Sequence, residues 1–327
     1  MRDFSYSRAA SIDEARQAAL HPGALLLAGG TTLLDLAKCG VTEPDAVVDI
    51  SHLPGLDGIT VDEEGVAIGA LARMSAVADH PGIRAGFPAI AESLSLAASA
   101  QLRNMATVGG NLLQRTRCAY FRDPVAFSAC NKRNPGSGCS AIGGVTRNHA
   151  VLGTSEKCIA SYPGDLAVAL VAFDATVDLG NRQVPIDDFF LPYGVAPERE
   201  TVLQPGEMIL GIRVRASAAA MRSTYLKVRD RQSYEFAAAS AAVGLELEDD
   251  GRTVRDIRVA LGGVASKPWR ARAVEQALVG KPLDADGVAH AARLAMDGAV
   301  SYSDNLYKIE LAPRVITRAI LTVGGLA

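Results

Sequence analysis

Four of the five cysteines, Cys118, Cys130, Cys139 and Cys158, fall within one stretch of 41 residues, while Cys39 stands apart. Their spacings are C-x11-C, C-x8-C and C-x18-C. Zinc ribbons and fingers carry a tight C-x2-4-C pair, and none is present. Thiolates spread along one long segment suit an iron–sulfur cubane, whose four irons each take one cysteine at a separate corner. Charge points the same way. Between Arg103 and Cys158 there are eight basic residues against two acids, Asp123 and Glu156, and a tetrathiolate [4Fe–4S] unit is negative. Taken alone, the quartet also admits a zinc site, two disulfides or unligated thiols. Cys39 reads as a buried or idle thiol at a helix end.

Two glycine turns form the second constellation. Leu26-Leu27-Ala28-Gly29-Gly30-Thr31-Thr32-Leu33 reads as strand, turn and capped helix, and Ala106-Thr107-Val108-Gly109-Gly110-Asn111 is a second such turn. Glycines let a backbone approach an anion, and the free N–H groups of a helix start can hold phosphate oxygens. Each turn alone is an ordinary strand–helix corner. Two of them from neighbouring layers could clamp one pyrophosphate and so bind a dinucleotide. Neither has the spacing G-x-G-x-x-G, which leaves a Rossmann site unsupported. Asp165, after Pro163-Gly164, reads as a helix N-cap unless a ligand is near, and Lys227 faces either a cofactor or, more simply, solvent. The five histidines show no ligand spacing. No G-x-S-x-G motif is present, so a serine hydrolase has no support.

The elements that would position these residues follow from periodicity and punctuation. A small βαβ unit over residues 1–57 carries a helix capped at Ser11, a strand at Ala24–Ala28, a helix through Lys38 and a strand at Ala46–Ile50. A second unit over 58–216 opens with a hairpin (Gly58–Val61, Gly65–Gly69) and a helix from Ala89 to Ala100. It then contains a long polar loop at 114–160, and strands at Leu166–Phe173 and Ile209–Val214. So long a loop in a compact unit carries a function. Beyond the boundary at Ser217–Ala220, an α+β unit over 217–327 has strands near Tyr225–Arg229, Ala237–Leu247 and Ile257–Gly262. Helices follow at 271–279, 286–299 and 306–322.

Composition limits the function classes. A net charge of −3 argues against nucleic acid as the main partner. No apolar run is long enough to cross a bilayer, and the stretch Met1-Arg2-Asp3-Phe4-Ser5-Tyr6 lacks the apolar core of a secretory signal.

Together these residues resemble the FAD-binding medium subunit of the xanthine dehydrogenase family of molybdenum hydroxylases. The likeness rests on Leu27-Ala28-Gly29-Gly30-Thr31, Thr107-Val108-Gly109-Gly110-Asn111-Leu112, Pro163-Gly164-Asp165-Leu166-Ala167 and Ala260-Leu261-Gly262-Gly263-Val264-Ala265, in order along the chain. Within that family, the cysteine segment looks like the [4Fe–4S] insertion in the flavin subunit of bacterial periplasmic aldehyde oxidoreductases. The residues that carry this are Gln114–Cys118, Cys130–Arg133, Pro135–Cys139 and Gly153–Cys158.

The resemblance implies an α+β fold. Its FAD-binding part is two-part, of the vanillyl-alcohol oxidase-like type, and its C-terminal α+β domain is as in CO dehydrogenase flavoproteins. It places FAD on Leu25, Leu26, Leu27, Ala28, Gly29, Gly30, Thr31, Thr32, Leu33, Thr107, Gly110, Asn111, Asp165, Ile212 and Lys227. It places a [4Fe–4S] cluster on Cys118, Cys130, Cys139 and Cys158. It implies a molybdopterin-binding large subunit, a small subunit with [2Fe–2S] clusters and an external electron acceptor, with neither nucleic acid nor membrane as partner. The chain then needs no catalytic base or nucleophile of its own. Flavin accepts electrons singly or in pairs, and so couples one-electron clusters to a final acceptor. The implied location is the periplasm, reached by co-export with a signal-bearing partner, with the cytoplasm as alternative. An autonomous FAD-dependent oxidase and a zinc-bearing assembly scaffold are the rival readings.

Overall fold

Strands Ser5–Arg8, Ala46–Asp49 and Ala24–Leu27 lie in that spatial order as a three-stranded parallel sheet. The helices Ile12–Ala18 and Leu33–Lys38 connect them. The first helix starts where Ser11 Oγ accepts a bond from the Glu14 N–H at 3.1 Å, and the Glu14 carboxylate accepts one from the Ala10 N–H at 2.7 Å. These paired caps satisfy N–H groups that the helix start would otherwise leave free. The molecule is seen in a computed structural model that describes residues 1–194 and 196–326.

The second layer is a five-stranded antiparallel sheet. Its spatial order is Ile59–Val61, Gly65–Gly69, Gly211–Arg215, Thr176–Asp178 and Gln183–Pro185. Strand Gly211–Arg215 thus returns to the sheet centre after the helices and the cysteine segment have been inserted. One expectation fails here. Residues Asp165–Ala172 form a helix and not a strand, and all eight are buried. The helix packs between helix Pro88–Ser95 and the strands Ala239–Leu247 and Val254–Gly262. An element enclosed on every side is apolar on every side, so its sequence shows no 3.6-residue period and reads like a buried strand. The helix expected over Ala89–Ala100 is also two helices. Pro88–Ser95 stops before Ala98, whose φ is +47°, and Ser99 caps the next helix, Ala100–Met105, by accepting from the Leu102 N–H.

The third layer is a four-stranded antiparallel sheet in the order Trp269–Arg270, Val254–Gly262, Ala239–Leu247 and Ser223–Val228. Alternation along it separates two cores. Val243, Leu245, Val259 and Leu261 face the helices Arg272–Leu278, Ala285–Ala292 and Tyr307–Gly324, while Ala242, Ala260 and Tyr225 join the core of the second layer. Small alanines on that face let the Asp165–Ala172 helix approach the sheet closely. Among the described residues no helix is long and apolar enough to cross a membrane.

Candidate cofactor site

The two glycine turns meet. A side chain on Gly29 would run into the Met105 carbonyl and the Ala106 backbone, and one on Gly109 would come within 2.9 Å of Ala70 Cβ. The first turn therefore abuts the chain just ahead of the second, with no room for a Cβ between them. Gly30 adopts φ +72°, a left-handed conformation that turns strand Ala24–Leu27 into helix Leu33–Lys38. Thr32 is the N-cap of that helix but its side chain accepts no capping bond; the Leu34 N–H donates to the Gly30 carbonyl at 3.1 Å, whereas the Gly30, Thr31 and Thr32 N–H groups make no hydrogen bond among the described residues and stay available to an anion. Thr107 differs: its Oγ1 accepts from the Gly110 N–H at 3.3 Å.

Two clefts open beside the turns. One, of about 480 Å³, is lined by Leu25, Leu26, Ala28–Leu33, Thr107, Gly110 and the segment 203–209. The other, of about 440 Å³, is lined by Thr31, Thr32, Asp35, Gly110, Asn111, Arg117, Arg122 and Asp165, with Tyr234 and Phe236 at its edge. Thr31, Thr32 and Gly110 belong to both. The clefts thus form one elongated site pinched at the glycine turns. Three buried polar atoms on its second half, Asn111 Oδ1, Arg117 Nε and Arg122 Nη1, have no hydrogen-bond partner among the described residues. Unpaired buried donors and acceptors on one wall are what a polar ligand would satisfy.

Of the residues assigned to FAD, Leu27 ends strand Ala24–Leu27 and lines neither cleft, nor do Ile212 and Lys227. Ile212 sits at the sheet centre, paired with Ile68 and Val177 and buried in the core. Lys227 does not face solvent. Its ammonium lies 2.8 Å from Asp165 Oδ2 and 3.1 Å from the Leu96 carbonyl oxygen. The helix N-cap is Gly164, not Asp165, which is the first helical residue and is engaged by Lys227 and by the Tyr225 hydroxyl at 2.6 Å. Burial pushes the Asp165 carboxyl up from its ordinary range, and the Lys227 charge opposes that shift.

The cysteine segment folds as a lobe on this site. Cys118 precedes the short helix Ala119–Arg122, Cys130 pairs with Cys139 across an antiparallel bridge, and Cys158 pairs with Ser155. Cys118 packs against both the Leu36–Phe121–Cys130 group and the Cys158–Ala160–Tyr193 group. Asn131 holds the turn between the paired cysteines: its Oδ1 accepts from the Gly136 and Gly138 N–H groups, each at 3.0 Å, and its Nδ2 donates to the Lys157 carbonyl. Asn131 and Lys132 are buried, although their stretch is too polar to suggest it. Lys132 sits 3.5 Å over the Tyr193 ring and 3.0 Å from the Glu200 carboxylate. Val151 and Leu152 anchor the lobe to the third layer through Val264.

Burial pushes the Cys118 thiol up to about 11 and the Cys158 thiol up to about 12, with the neighbouring thiols adding to both shifts. Free thiolates are thus disfavoured here unless a bound cation compensates them. His149 Nε2 lies 3.2 Å from Cys118 Sγ, and burial pushes this imidazole down to about 4, followed by the charge of Lys308. Among the described residues, no three or more His, Cys, Asp or Glu side chains gather so as to hold a metal ion.

Residues 2–215 match the FAD-binding domain in molybdopterin dehydrogenase, and residues 224–323 match the CO dehydrogenase flavoprotein C-terminal domain. The chain belongs to the molybdopterin dehydrogenase FAD-binding family. The aldehyde oxidoreductase FAD-binding subunit PaoB of Escherichia coli (strain K12) is 41% identical over 98% of this chain and 98% of its own. The glyceraldehyde dehydrogenase medium chain of Sulfolobus acidocaldarius is 29% identical over 87% of this chain and 84% of its own. Carbon monoxide dehydrogenase from Hydrogenophaga pseudoflava superposes with a TM-score of 0.76 at 27% identity, covering 100% of this chain and 99% of that one.

In this member of the molybdopterin dehydrogenase FAD-binding family, sequence reading missed part of the wall. Segment 203–209 lines the first cleft, and Glu207 holds it by bonding to Arg182 and to the Gln204 N–H. The Gln204-Pro205-Gly206 turn was the visible signal, but a turn alone does not tell which cleft it borders. Cys39 is half-buried at the end of helix Leu33–Lys38, 3.7 Å from Arg122 Nη2.

Proposed function

We propose that this chain is the FAD- and [4Fe–4S]-binding electron-transfer subunit of a molybdenum-dependent aldehyde oxidoreductase. It would pass electrons from a partner's [2Fe–2S] clusters to an external acceptor, while a molybdopterin-binding large subunit performs the hydroxylation. The observation that carries the reading is the single elongated site pinched at Thr31, Thr32 and Gly110. A dinucleotide laid across that pinch puts its pyrophosphate against the first glycine turn, where the Gly30, Thr31 and Thr32 N–H groups make no hydrogen bond among the described residues. Relatives spanning the whole chain support it, among them the E. coli aldehyde oxidoreductase subunit.

When bound, the flavin would supply stepwise one- and two-electron transfer. The chain's own residues bind, orient and shield. Gly29, Gly30, Thr31, Thr32, Gly109 and Gly110 admit the pyrophosphate, and Asn111 Oδ1 is free to accept a bond from the ligand. Asp165, held by Lys227 and Tyr225, presents a fixed polar edge to the second cleft. Segment 203–209 forms one wall of the first.

The cysteine lobe fits a cubane in its donor set, since it offers four thiols in one largely buried unit with Lys132 beside Cys158. A cluster takes one thiolate at each of its four corners. The reading is tested by the visible spectrum, FAD content and iron content of the purified chain. Flavin bands with a broad iron–sulfur shoulder and about four irons per chain are expected. A colourless protein with stoichiometric zinc would favour a scaffold.

A further inference from the structure

Two arginines flank the first cysteine of the lobe, Arg117 one residue before Cys118 and Arg122 four residues after it. Both leave the lobe and reach helix Leu33–Lys38, where they share one oxygen of Asp35. Arg117 Nη1 lies 3.1 Å from Asp35 Oδ2, and Arg122 Nη2 lies 2.6 Å from it. All three line the second cleft. One carboxylate cannot neutralise two guanidinium groups, so the trio leaves one positive charge in excess. The other charges there are already matched: Arg231 pairs with Glu235 at 3.3 Å, and Asp165 pairs with Lys227. Arg117 Nε and Arg122 Nη1 are buried donors without a partner among the described residues. Arg117 also stacks 4.8 Å from the centre of the Phe236 ring, which fixes its plane at the cleft edge. Burial and the neighbouring Arg122 charge both work against the charged form of Arg117, which shows that the pair is held together at a cost.

An uncompensated cation with buried, unpaired donors is a site for negative charge. In the reading proposed above, on which this rests, two groups could supply it: the pyrophosphate, and the flavin ring after reduction. The position favours the ring. The pyrophosphate belongs at the pinch, whereas Arg117 and Arg122 line only the cleft beyond it. Addition of two electrons and one proton to the oxidised ring leaves it with one negative charge. We propose that Arg117 and Arg122 are positioning residues through which the cysteine lobe stabilises the reduced, anionic flavin ring, with Asp35 setting how much of their charge is felt. The lobe then has two duties: its thiols hold the cluster, and its arginines make the flavin a better electron acceptor from the partner.

The test uses the full chain with FAD bound, titrated anaerobically with dithionite against a dye of known potential, together with the affinity for ADP. ADP carries the pyrophosphate and lacks the ring. Arg117→Gln/Arg122→Gln is expected to shift the flavin potential downward with ADP affinity unchanged. Arg117→Lys/Arg122→Lys is expected to keep the potential near that of the unmodified chain. Asp35→Asn, which frees positive charge, is expected to shift it upward, and it decides the matter if the glutamine variant does not fold. An unshifted potential in Asp35→Asn, or in the glutamine variant with FAD retained, would overturn the proposal and leave the arginines as struts. Loss of ADP affinity in step with FAD would overturn it in favour of pyrophosphate binding. Failure of the unmodified chain to bind FAD would instead overturn the underlying reading.

Discussion

The Lys227 ammonium lies 2.8 Å from the Asp165 carboxylate, and both side chains are almost wholly out of water. The contact joins the start of helix Asp165–Ala172 in the second layer to strand Ser223–Val228 in the third. It therefore ties the FAD-binding part to the C-terminal part beside the second cleft. A buried pair adds little over an apolar pair of similar shape, but breaking it strands a charge.

Lys227→Met should accordingly destabilise the fold by about 3–5 kcal/mol, and Asp165→Asn by a similar amount. The double variant should lose less than the sum of the two, because it leaves no unpaired charge. Denaturant unfolding of the four proteins measures this. Additive losses would show that the two groups do not act as a pair.

Gly110→Val should abolish FAD binding while iron content is kept. The residue lies in the pinch shared by both clefts, and a Cβ there already stands 3.0 Å from Thr107 Oγ1. The added branch would then occupy the neck of the site. FAD occupancy by absorbance and iron by elemental analysis separate the two cofactors. Full FAD occupancy would mark the turn as a mere corner of the chain.

Much of this was legible in the residue types. The cysteine spacing and the two glycine turns stand out because only a few residue types serve those purposes. Other features were hidden by the same physics that makes them work. The Asp165–Ala172 helix reads as a strand because burial on all sides erases its period. Lys227 reads as a solvated lysine because a sequence does not display the carboxylate that arrives from 62 residues away. The sharing of Asp35 by Arg117 and Arg122 spans more than 80 positions and leaves no local trace.

Cys130→Ser should lower iron content and loosen the lobe over 114–160, since Cys130 is buried and paired with Cys139. Cys39→Ser should leave iron unchanged, because Cys39 caps the end of helix Leu33–Lys38, outside the lobe. Iron analysis with limited proteolysis of the lobe checks both. Equal iron in the two variants would sink the assignment of ligands.

Acid should open the first cleft. The bond from Arg182, the charge of Arg182 and the Gln204 N–H hold the Glu207 carboxyl down at about 2, against an ordinary value of 4.5. A carboxyl whose folded value is depressed contributes stability above its unfolded value, and that contribution is lost as pH falls through the folded one. Glu207→Gln should therefore melt earlier than the unmodified chain at neutral pH. The difference should narrow as pH falls from 4.5 toward 2. Melting curves across that range check the sign, and a gap that widens in acid would contradict it.

The flavin of this chain depends on partner subunits for its electrons, and one measurement tests that dependence most directly. The purified chain with FAD bound is mixed anaerobically with an aldehyde, and the flavin absorbance is followed. The flavin is expected to stay oxidised indefinitely, and adding the molybdopterin-binding and [2Fe–2S] subunits is expected to bleach it rapidly. Bleaching by aldehyde in the isolated chain would contradict the account and point to an autonomous oxidase.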